Sequence, residues 1–235
     1  MINKQKLFNR NFVMVVIGQL ISLFGNSILR FALALYVLDI TGSATIFGTV
    51  TAFSVIPTII LSPFGGMIAD RVNRRNIMVV LDFLTSFLVL GFGFSLSDKN
   101  AVPLIAAVLV LLSIILACYT PSVNSSVPLL QDEKNLVKAN SVVNQVTMLA
   151  NLLGPILGGI LYGFFGAIPI IYVSGVCFFL SAILEIFIYI PFEKLKQKES
   201  MVQTVKSDFK ESIRFMSKEQ PDILRTMLVM AFYNF

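Results

Sequence analysis

The sequence predicts an all-α, polytopic membrane protein with six complete helical spans. Of its 235 residues, 56% are hydrophobic and 13% are charged, which is about half the charged share of an average soluble domain. Three long runs, residues 40–69, 100–131 and 139–184, contain no Asp, Glu, Lys or Arg. Because a bilayer core of ~30 Å takes about 20 helical residues, the first two runs hold one span each and the third holds two.

The other spans come from the segments around these runs. The first helix covers residues 11–38 and is too long for the apolar part of a cleaved signal peptide. The third covers residues 77–96, and the longest uncharged run bends near residues 163–167 to make helices five and six. Residues 224–235 begin a seventh helix, but their 12 positions fall short of the roughly 20 that a span needs. We therefore expect the seventh helix to be incomplete.

The basic residues indicate how the chain is oriented. Sixteen of the 18 Lys and Arg residues precede the first helix or lie between helices two and three, four and five, or six and seven. The alternate loops hold only Lys99, and the remaining basic residue is Arg30 within helix one. The positive-inside rule then predicts a multi-pass protein of the cell membrane with a cytoplasmic amino terminus. The net charge of +5 reflects this topology rather than binding to nucleic acid.

Three segments are predicted. Residues 1–191 form a six-helix transmembrane bundle, residues 192–222 a cytoplasmic linker, and residues 223–235 the start of the seventh helix. The linker has the pattern of an amphipathic helix on the membrane surface, with a solvated linker of accidental periodicity as the alternative. Its apolar face would carry Val205, Phe209, Ile213 and Met216, and its basic face Lys206, Lys210, Arg214 and Lys218.

Catalysis and cofactor binding are not predicted. The chain has no His, which excludes a His-based acid–base site or a His-ligated metal, and no Ser or Cys has an evident partner base. Cys118 and Cys177 fall inside predicted spans and are interpreted as small apolar residues without a disulfide. The sequence contains no Walker phosphate loop. We expect neither an enzyme nor a bound metal or cofactor.

The turn between helices two and three is the most informative stretch. Asp70 lies where helix two ends and can pair with Arg74 or Arg75. Gly65 and Gly66 would let another helix approach closely. Dense charge and small residues therefore coincide at the membrane surface.

This turn resembles the signature of the major facilitator superfamily, Gly-x-Leu-x-Asp-Arg-x-Gly-Arg-Arg. Six residues fall on the pattern: Gly66, Ile68, Asp70, Arg71, Arg74 and Arg75. Asn73 replaces the second Gly, and we expect it to adopt the left-handed conformation that a tight turn needs. The resemblance implies that the glycine, the acid and the three arginines gate the cytoplasmic side by pairing with neighbouring helices.

Helix five carries a second resemblance. Gly154, Pro155, Gly158 and Gly159 match the Gly-Pro-x-x-Gly-Gly core of a motif from the exporter branches of the superfamily, although the motif's upstream Gly is missing. Considered alone, a face without side chains and a proline kink are typical of a tight helix crossing. Residues 126–145 and helix one are also similar to the branch that contains macrolide-efflux and siderophore-export proteins.

The resemblance implies a fold and a partner. It covers the amino-terminal half of a twelve-helix major facilitator fold, whose six helices form a three-plus-three inverted repeat. The carboxy-terminal half of the transporter would then be the missing partner of this chain. The Arg motif of drug exporters in helix four has no counterpart, because residues 101–131 are uncharged, so a proton relay through that Arg is not expected.

Polar side chains form stripes on several spans. Gln19, Ser22, Asn26 and Arg30 share one face of helix one; Asn140, Asn144, Thr147 and Asn151 share one face of helix five; Thr51, Ser54, Thr58 and Ser62 line helix two. Because polar groups in hydrocarbon are costly, such stripes turn toward a partner helix or a wet cavity. Candidate residues of a substrate pathway are Gln19, Asn26, Arg30, Asn144 and Asn151, with structural bonding between helices as the alternative.

Arg30 has two options at its depth, roughly 28 Å along helix one from the cytoplasmic end. Its side chain could extend to the outer headgroups, which would be a structural role. It could instead face a cavity and pair with a carboxylate or an anionic group of the substrate. The face that it shares with Asn26 and Gln19 favours the cavity.

Asp82 and Glu185 are the acidic residues within the spans, both near the cytoplasmic end. A carboxyl group in this setting can hold a proton near neutral pH, as proton coupling requires, or it can pair with an arginine of the loop. For Asp82 we expect pairing with Arg71, Arg74 or Arg75. For Glu185 both readings stay open.

The sequence as a whole predicts a secondary active exporter of amphiphilic small molecules, of drug, macrolide or siderophore type, that works by alternating access. Its partners are a small-molecule substrate and the lipid bilayer. An importer of the same fold, a non-transporting membrane sensor and a membrane-embedded enzyme are the alternatives.

Overall fold

The computed structural model describes residues 6–96 and 100–191, together with the single positions 214, 225, 226, 229 and 230. The chain divides into two compact units, Met1–Glu193 and Lys194–Phe235. The first unit is built from six α-helices, each long and apolar enough to cross a membrane, and no strand occurs among the described residues. Their bounds are α1 Arg10–Thr41, α2 Ala44–Arg71, α3 Arg74–Ser95, α4 Ala101–Leu130, α5 Glu133–Phe165 and α6 Ala167–Ile186. The predicted all-α bundle of six spans is confirmed.

The second unit is described only at its five single positions, all of them helical. The predicted surface helix of residues 192–222 and the start of a seventh span at residues 224–235 otherwise lie outside the described residues. Both stay predictions, as does the division of the chain into three segments.

Short polar turns separate the helices. Asn9 caps the start of α1, where its Oδ1 accepts a hydrogen bond of 3.0 Å from the backbone N–H of Phe12. Gly42 ends the same helix with φ of 60°, in the left-handed region that glycine tolerates best. Gly166, with φ of 71°, separates α5 from α6 within the predicted bend.

The conformation predicted for Asn73 is wrong. Its φ of −60° and ψ of 113° are extended, and among the described residues only glycines have positive φ. Asn73 instead caps α3, where its side-chain Oδ1 accepts a hydrogen bond of 3.1 Å from the backbone N–H of Arg75. The turn is made by two helices that meet at an extended residue, and the asparagine is used for its side-chain acceptor.

α1 lies at the centre of the packing and contacts α2, α4, α5 and α6, while α2 packs on α4 and α3 packs on α6 and α4. One apolar core lies toward the end of the bundle where α1 finishes, and a second toward the end where α1 starts. The first includes Leu29, Leu33, Ile105, Leu112, Ile171 and Phe178, and the second Phe12, Met78, Tyr119, Val123 and Leu130. Ser22, Asp82, Ser181 and Glu185 are among the buried polar residues, and they lie between these cores.

The outer surface of the bundle is apolar, as a lipid-facing surface must be. Phe53, Ile59, Phe87 and Phe164 are among the large side chains that lie exposed on it. α2 and α5 are the least buried of the six helices. The described bundle therefore leaves much of these two helices uncovered.

Gly65 marks the closest approach of α2 to α4. A Cβ atom at this position would collide with the backbone carbonyl oxygen of Ala117. At the next residue, Gly66, a Cβ atom would meet nothing within 4 Å. The close helix approach expected of the glycine pair therefore rests on Gly65 alone.

This difference between neighbours leads to a test of the packing. We expect Gly65→Ala to destabilise the bundle by about 1–3 kcal/mol, since the new methyl group must push α2 away from α4. Gly66→Ala is the matched control and should leave stability unchanged or slightly raised. Thermal unfolding of both variants in detergent makes the comparison, and equal stability of the two would contradict the packing described here.

Candidate functional site

Arg30 points across the bundle rather than along α1 toward the membrane surface. Its guanidinium donates hydrogen bonds to the Oγ of Ser113 at 2.8 Å, the Oγ of Ser54 at 3.0 Å and the carbonyl oxygen of Leu109 at 3.3 Å. Ser113 in turn donates to the carbonyl oxygen of Ser54, so α1, α2 and α4 are joined at this level. The Arg30 side chain therefore does not extend to the outer headgroups, which was the alternative to a position at a cavity.

The Arg30 guanidinium borders a cavity of about 290 Å³ between α1, α2, α4 and α5. Its wall combines polar and apolar groups, which is the composition that suits an amphiphilic ligand. The polar lining is Asn26, Ser27, Arg30, Thr51, Ser54 and Asn151, and the apolar lining includes Leu23, Phe31, Phe47, Leu109, Leu116 and Pro155. We call this the Arg30 cavity.

A second cavity of about 470 Å³ lies between α2 and α4, toward the turn that carries Asp70. Leu116 lines both cavities, so they adjoin along the two helices. The second cavity is lined by Thr58, Ser62, Gly66, Asp70, Ala117, Thr120, Pro121, Asn124 and Ser125. Two cavities that each carry polar groups in their walls thus follow one another from Arg30 to the end of the bundle where α2 finishes.

The turn residues that match the superfamily signature tie three elements together. Arg74 lies 3.5 Å from the exposed carboxylate of Asp70, and its Nε donates to the Oγ of Ser125 on α4 at 3.1 Å. Arg75 donates to the backbone carbonyl oxygen of Ile186 at the end of α6. The turn therefore contacts both α4 and α6, while Gly66 and Asp70 face the second cavity.

The glycines of the helix-five motif face α1. A Cβ atom at Gly154 would collide with the side chain of Ser27, and one at Gly158 would lie 2.9 Å from the carbonyl oxygen of Ile28. Gly159 is less tightly packed, with a Cβ position 3.4 Å from the ring of Phe31. The motif thus forms a close crossing of α1 and α5, next to Pro155 in the wall of the Arg30 cavity.

Two of the predicted pathway residues lie elsewhere. Gln19 is buried between α1 and α5, where its Nε2 donates to the Oγ1 of Thr147 at 3.2 Å and to the carbonyl oxygen of Val143 at 3.4 Å. Asn144 is exposed on α5 and is not among the described residues that line the Arg30 cavity. Asn26, Arg30 and Asn151 are brought together, whereas Gln19 acts as a bond between helices.

The carboxyl groups of Asp82 and Glu185 are both buried where α1, α3, α4 and α6 meet. Ser22 donates to the Oδ2 of Asp82 and lies 3.0 Å from the Oγ of Ser181, which donates to the carbonyl oxygen of Gly18. Tyr119 donates to the Oε1 of Glu185 at 2.8 Å. We call Ser22, Asp82, Tyr119, Ser181 and Glu185 the buried polar cluster.

The pairing expected for Asp82 with an arginine of the loop is therefore not found. Asp82 lies two turns inside α3 and points into the bundle toward α1, whereas Arg74 and Arg75 bond to α4 and α6 at the surface. Asp82 lies eight residues, or about 12 Å, along α3 from Arg74, so its carboxylate reaches Ser22 inside the bundle while the arginines stay near the surface.

Sequence reasoning did not single out Tyr119, Ser181 or Ser113. Each is a polar residue in an apolar run, and a hydroxyl group can bond to its own helix, so the sequence offered little signal. The spacing of Ser181 and Glu185 by four residues, which places both on one face of α6, was the available indication.

Comparison with known proteins gives a family and several relatives. The sequence profile of the Major Facilitator Superfamily (MFS) matches residues 15–235. Macrolide efflux protein A of Streptococcus pyogenes is 27% identical over 150 residues, which cover 62% of this chain and 36% of that protein. The uncharacterized MFS-type transporter YkuC of Bacillus subtilis is 25% identical over 234 residues, which cover 97% of this chain and 54% of that protein.

A third relative is named for a different substrate. Lysophospholipid transporter LplT of Serratia proteamaculans is 32% identical over 158 residues, which cover 66% of this chain and 37% of that protein. The chain spans about half the length, or less, of these curated relatives.

The buried polar cluster leads to a prediction about stability. Tyr119→Phe removes the hydroxyl group that donates to Glu185 and leaves a buried carboxyl group without that bond, so we expect a loss of about 1–3 kcal/mol. Tyr172→Phe is the control, because the ring of Tyr172 packs edge-on against Phe94 and that contact is kept. Thermal unfolding in detergent compares the two, and a Tyr119→Phe variant as stable as the control would argue against the bond.

Proposed function

Because the chain belongs to the major facilitator superfamily of membrane transporters, we propose that it forms the amino-terminal part of a secondary active exporter of amphiphilic small molecules. The observation that carries this proposal is the Arg30 cavity, in which one guanidinium lies among amide and hydroxyl groups and a largely apolar wall. The transport cycle would be alternating access, with the substrate held between this bundle and the other half of the transporter.

The charge of Arg30 supports an anionic group on the substrate. Its three acceptors, from Ser54, Leu109 and Ser113, are all neutral oxygen atoms, which solvate a cation without neutralising it. An uncompensated charge at this depth is costly, so an anion that enters the cavity would be stabilised. The planar fork of a guanidinium fits a carboxylate or a phosphate in particular.

The apolar part of the cavity wall supports the amphiphilic character. Phe31, Phe47, Leu109 and Leu116 could hold a hydrocarbon or ring system while the anionic group meets Arg30. One relative is named a lysophospholipid transporter. A lysophospholipid combines a phosphate group, which would suit Arg30, with an acyl chain, which would suit the apolar wall. The name macrolide efflux protein A supports export, as does the glycine motif of α5.

The two adjoining cavities support a route along α2 and α4. Substrate that leaves Arg30 would pass Leu116 and reach the second cavity near Asp70. The bonds of Arg74 to Asp70 and Ser125 could open or close this end as α2 and α4 move. In the proposed cycle Asp70 gates the pathway and does not bind the substrate.

Energy for transport would come from an ion gradient, with Asp82 and Glu185 as the coupling residues. They are the carboxyl groups buried within the described spans. The family consists of transporters rather than enzymes, which supports a role in coupling rather than in catalysis. A non-transporting sensor of the same fold is distinguished by flux. Uptake of a labelled lysophospholipid or macrolide into inverted vesicles under an imposed ion gradient supports an exporter, and absence of any gradient-driven flux of either supports the sensor.

Arg30 variants test the substrate site. The variants are made in the protein as the cell produces it. We expect Arg30→Lys to reach the membrane normally. Its transport of a lysophospholipid should fall to about one-tenth of the original rate or less, because the lysine ammonium group cannot make the bidentate contact of a guanidinium. Arg30→Gln should be lower still. Arg10→Lys, at the exposed start of α1, is the control. Full transport by both Arg30 variants would rule out the proposed site.

The orientation can be tested with single cysteines in a variant that lacks Cys118 and Cys177. Thr45→Cys lies exposed at the start of α2, and Lys138→Cys lies exposed in the first part of α5. With a cytoplasmic amino terminus, a membrane-impermeant maleimide should label residue 45 in intact cells and residue 138 only after permeabilisation. The reverse pattern would invert the topology and the gating role of Asp70.

A further inference from the structure

The Arg30 guanidinium keeps part of its hydrogen-bonding capacity unused. It has five N–H donors, and the described residues accept three hydrogen bonds from it, two from Nη1 and one from Nη2. The N–H of Nε has no acceptor among these residues. Because Nε and Nη2 form one edge of the planar group, this edge can still bind an anion with two oxygen atoms.

Asn26 lies one helical turn before Arg30 on the same face of α1, and it differs from the other polar residues of that face. Gln19, Ser22 and Arg30 each bond to another helix. Asn26 is only 8% exposed, yet none of the described residues forms a hydrogen bond with its amide. Because a buried polar group without a partner is rare in folded proteins, this amide is available to a ligand.

Asn26 and Arg30 both line the Arg30 cavity. Side chains four residues apart on a helix have Cβ atoms about 5–6 Å from each other. A ligand whose anionic group contacts Arg30 therefore brings atoms that are a few bonds away within reach of the Asn26 amide. An amide accepts a hydrogen bond from a hydroxyl group and donates one to a carbonyl oxygen.

The small cavity beside Asp82 does not account for this amide. It has a volume of about 10 Å³, is lined by Asn26 as well as by Asp82, and corresponds in size to one water molecule. One water bonds to one side of an amide that has two N–H donors and a carbonyl oxygen. The other groups of the amide still lack a partner, and the Arg30 cavity is the larger space beside them.

We propose that Asn26 is a specificity-determining residue of the Arg30 cavity, where its amide binds a hydroxyl or carbonyl group next to the anionic group of the substrate. This role rests on the proposed function, because it requires the cavity to be the substrate site. The substrate class is then narrowed to anionic amphiphiles that carry a neutral polar group between the anion and the apolar chain. Glycerol-based lysophospholipids have this order of groups, whereas alkyl phosphates and fatty acids do not.

The test compares two anionic probes of matched chain length on the protein as the cell produces it, purified into lipid nanodiscs. Lysophosphatidic acid carries a glycerol hydroxyl group and an ester carbonyl group beside its phosphate, whereas a straight-chain alkyl phosphate carries neither. We expect equilibrium binding of lysophosphatidic acid to be about tenfold tighter, as one buried hydrogen bond predicts.

The variant Asn26→Leu keeps the approximate size of the side chain and removes the amide. It should bind the two probes with about equal affinity, because only the binding of lysophosphatidic acid is weakened. Asn144→Leu is the matched control, since Asn144 is exposed on α5 and is not among the described residues that line the cavity. The control should keep the tenfold preference.

Equal binding of the two probes by the unmodified protein would overturn the role of Asn26. An Asn26→Leu variant that keeps the preference, or that loses affinity for both probes alike, would also overturn it. In each of these cases, binding that Arg30→Gln abolishes would leave the proposed function standing. Binding of neither probe, or binding that Arg30→Gln does not weaken, would remove the proposed function and the role of Asn26 with it. The comparison on the unmodified protein needs no variant, so it decides even if Asn26→Leu does not fold.

Discussion

Inside a bilayer no water is available to a polar side chain, so each one must find its partner within the protein. The polar face of α1 meets this requirement by bonding to all five other helices. Gln19 bonds to α5, Ser22 to α3 and α6, and Arg30 to α2 and α4. Packing contacts such as the close crossing of α1 with Gly154 and Gly158 of α5 hold the helices together, and the hydrogen bonds of α1 add a fixed partner and direction at each level. The directional bonds of one helix therefore order the bundle.

The number and position of the spans could be predicted from the sequence because both depend on local properties. Uncharged length decides whether a segment can cross, and the bend at Gly166 follows from a glycine between two apolar runs. The signature around Asp70 could also be recognised from the sequence, because its charged residues lie close together along the chain. The pairing of Arg74 with Asp70, four residues away, needs no knowledge of other helices.

Contacts between distant helices could not be predicted in the same way. The helical period showed that Gln19, Asn26 and Arg30 share one face of α1. One face of a long helix can, however, contact several neighbouring helices at different depths. Gln19 meets α5 at the level of Thr147, whereas Arg30 meets Ser113 of α4. For Asp82 the nearest charges along the chain were a poor guide, because its helix turns it toward Ser22, 60 residues away. These hydrogen-bond partners depend on the depth and rotation of the packed helices. Neither quantity can be derived from the sequence of one helix.

α1 and α4 separate two polar systems of opposite character. The Arg30 cavity carries a positive charge and the buried polar cluster carries two acids, yet Leu23, Asn26 and Leu116 line both the Arg30 cavity and the small cavity beside Asp82. Ser22 and Arg30 are eight residues apart on one face of α1, which corresponds to about 12 Å along the helix. If an anion binds at Arg30 and a cation at Asp82, each changes the field at the other, and linkage requires their affinities to change by the same factor. Leu23, Asn26 and Leu116 lie between the two sites, so the coupling would act through the electric field across these side chains. Opposite charges favour joint occupancy, so an exporter driven by an inward ion gradient must break this coupling when the helices move, with the ion entering as the substrate leaves.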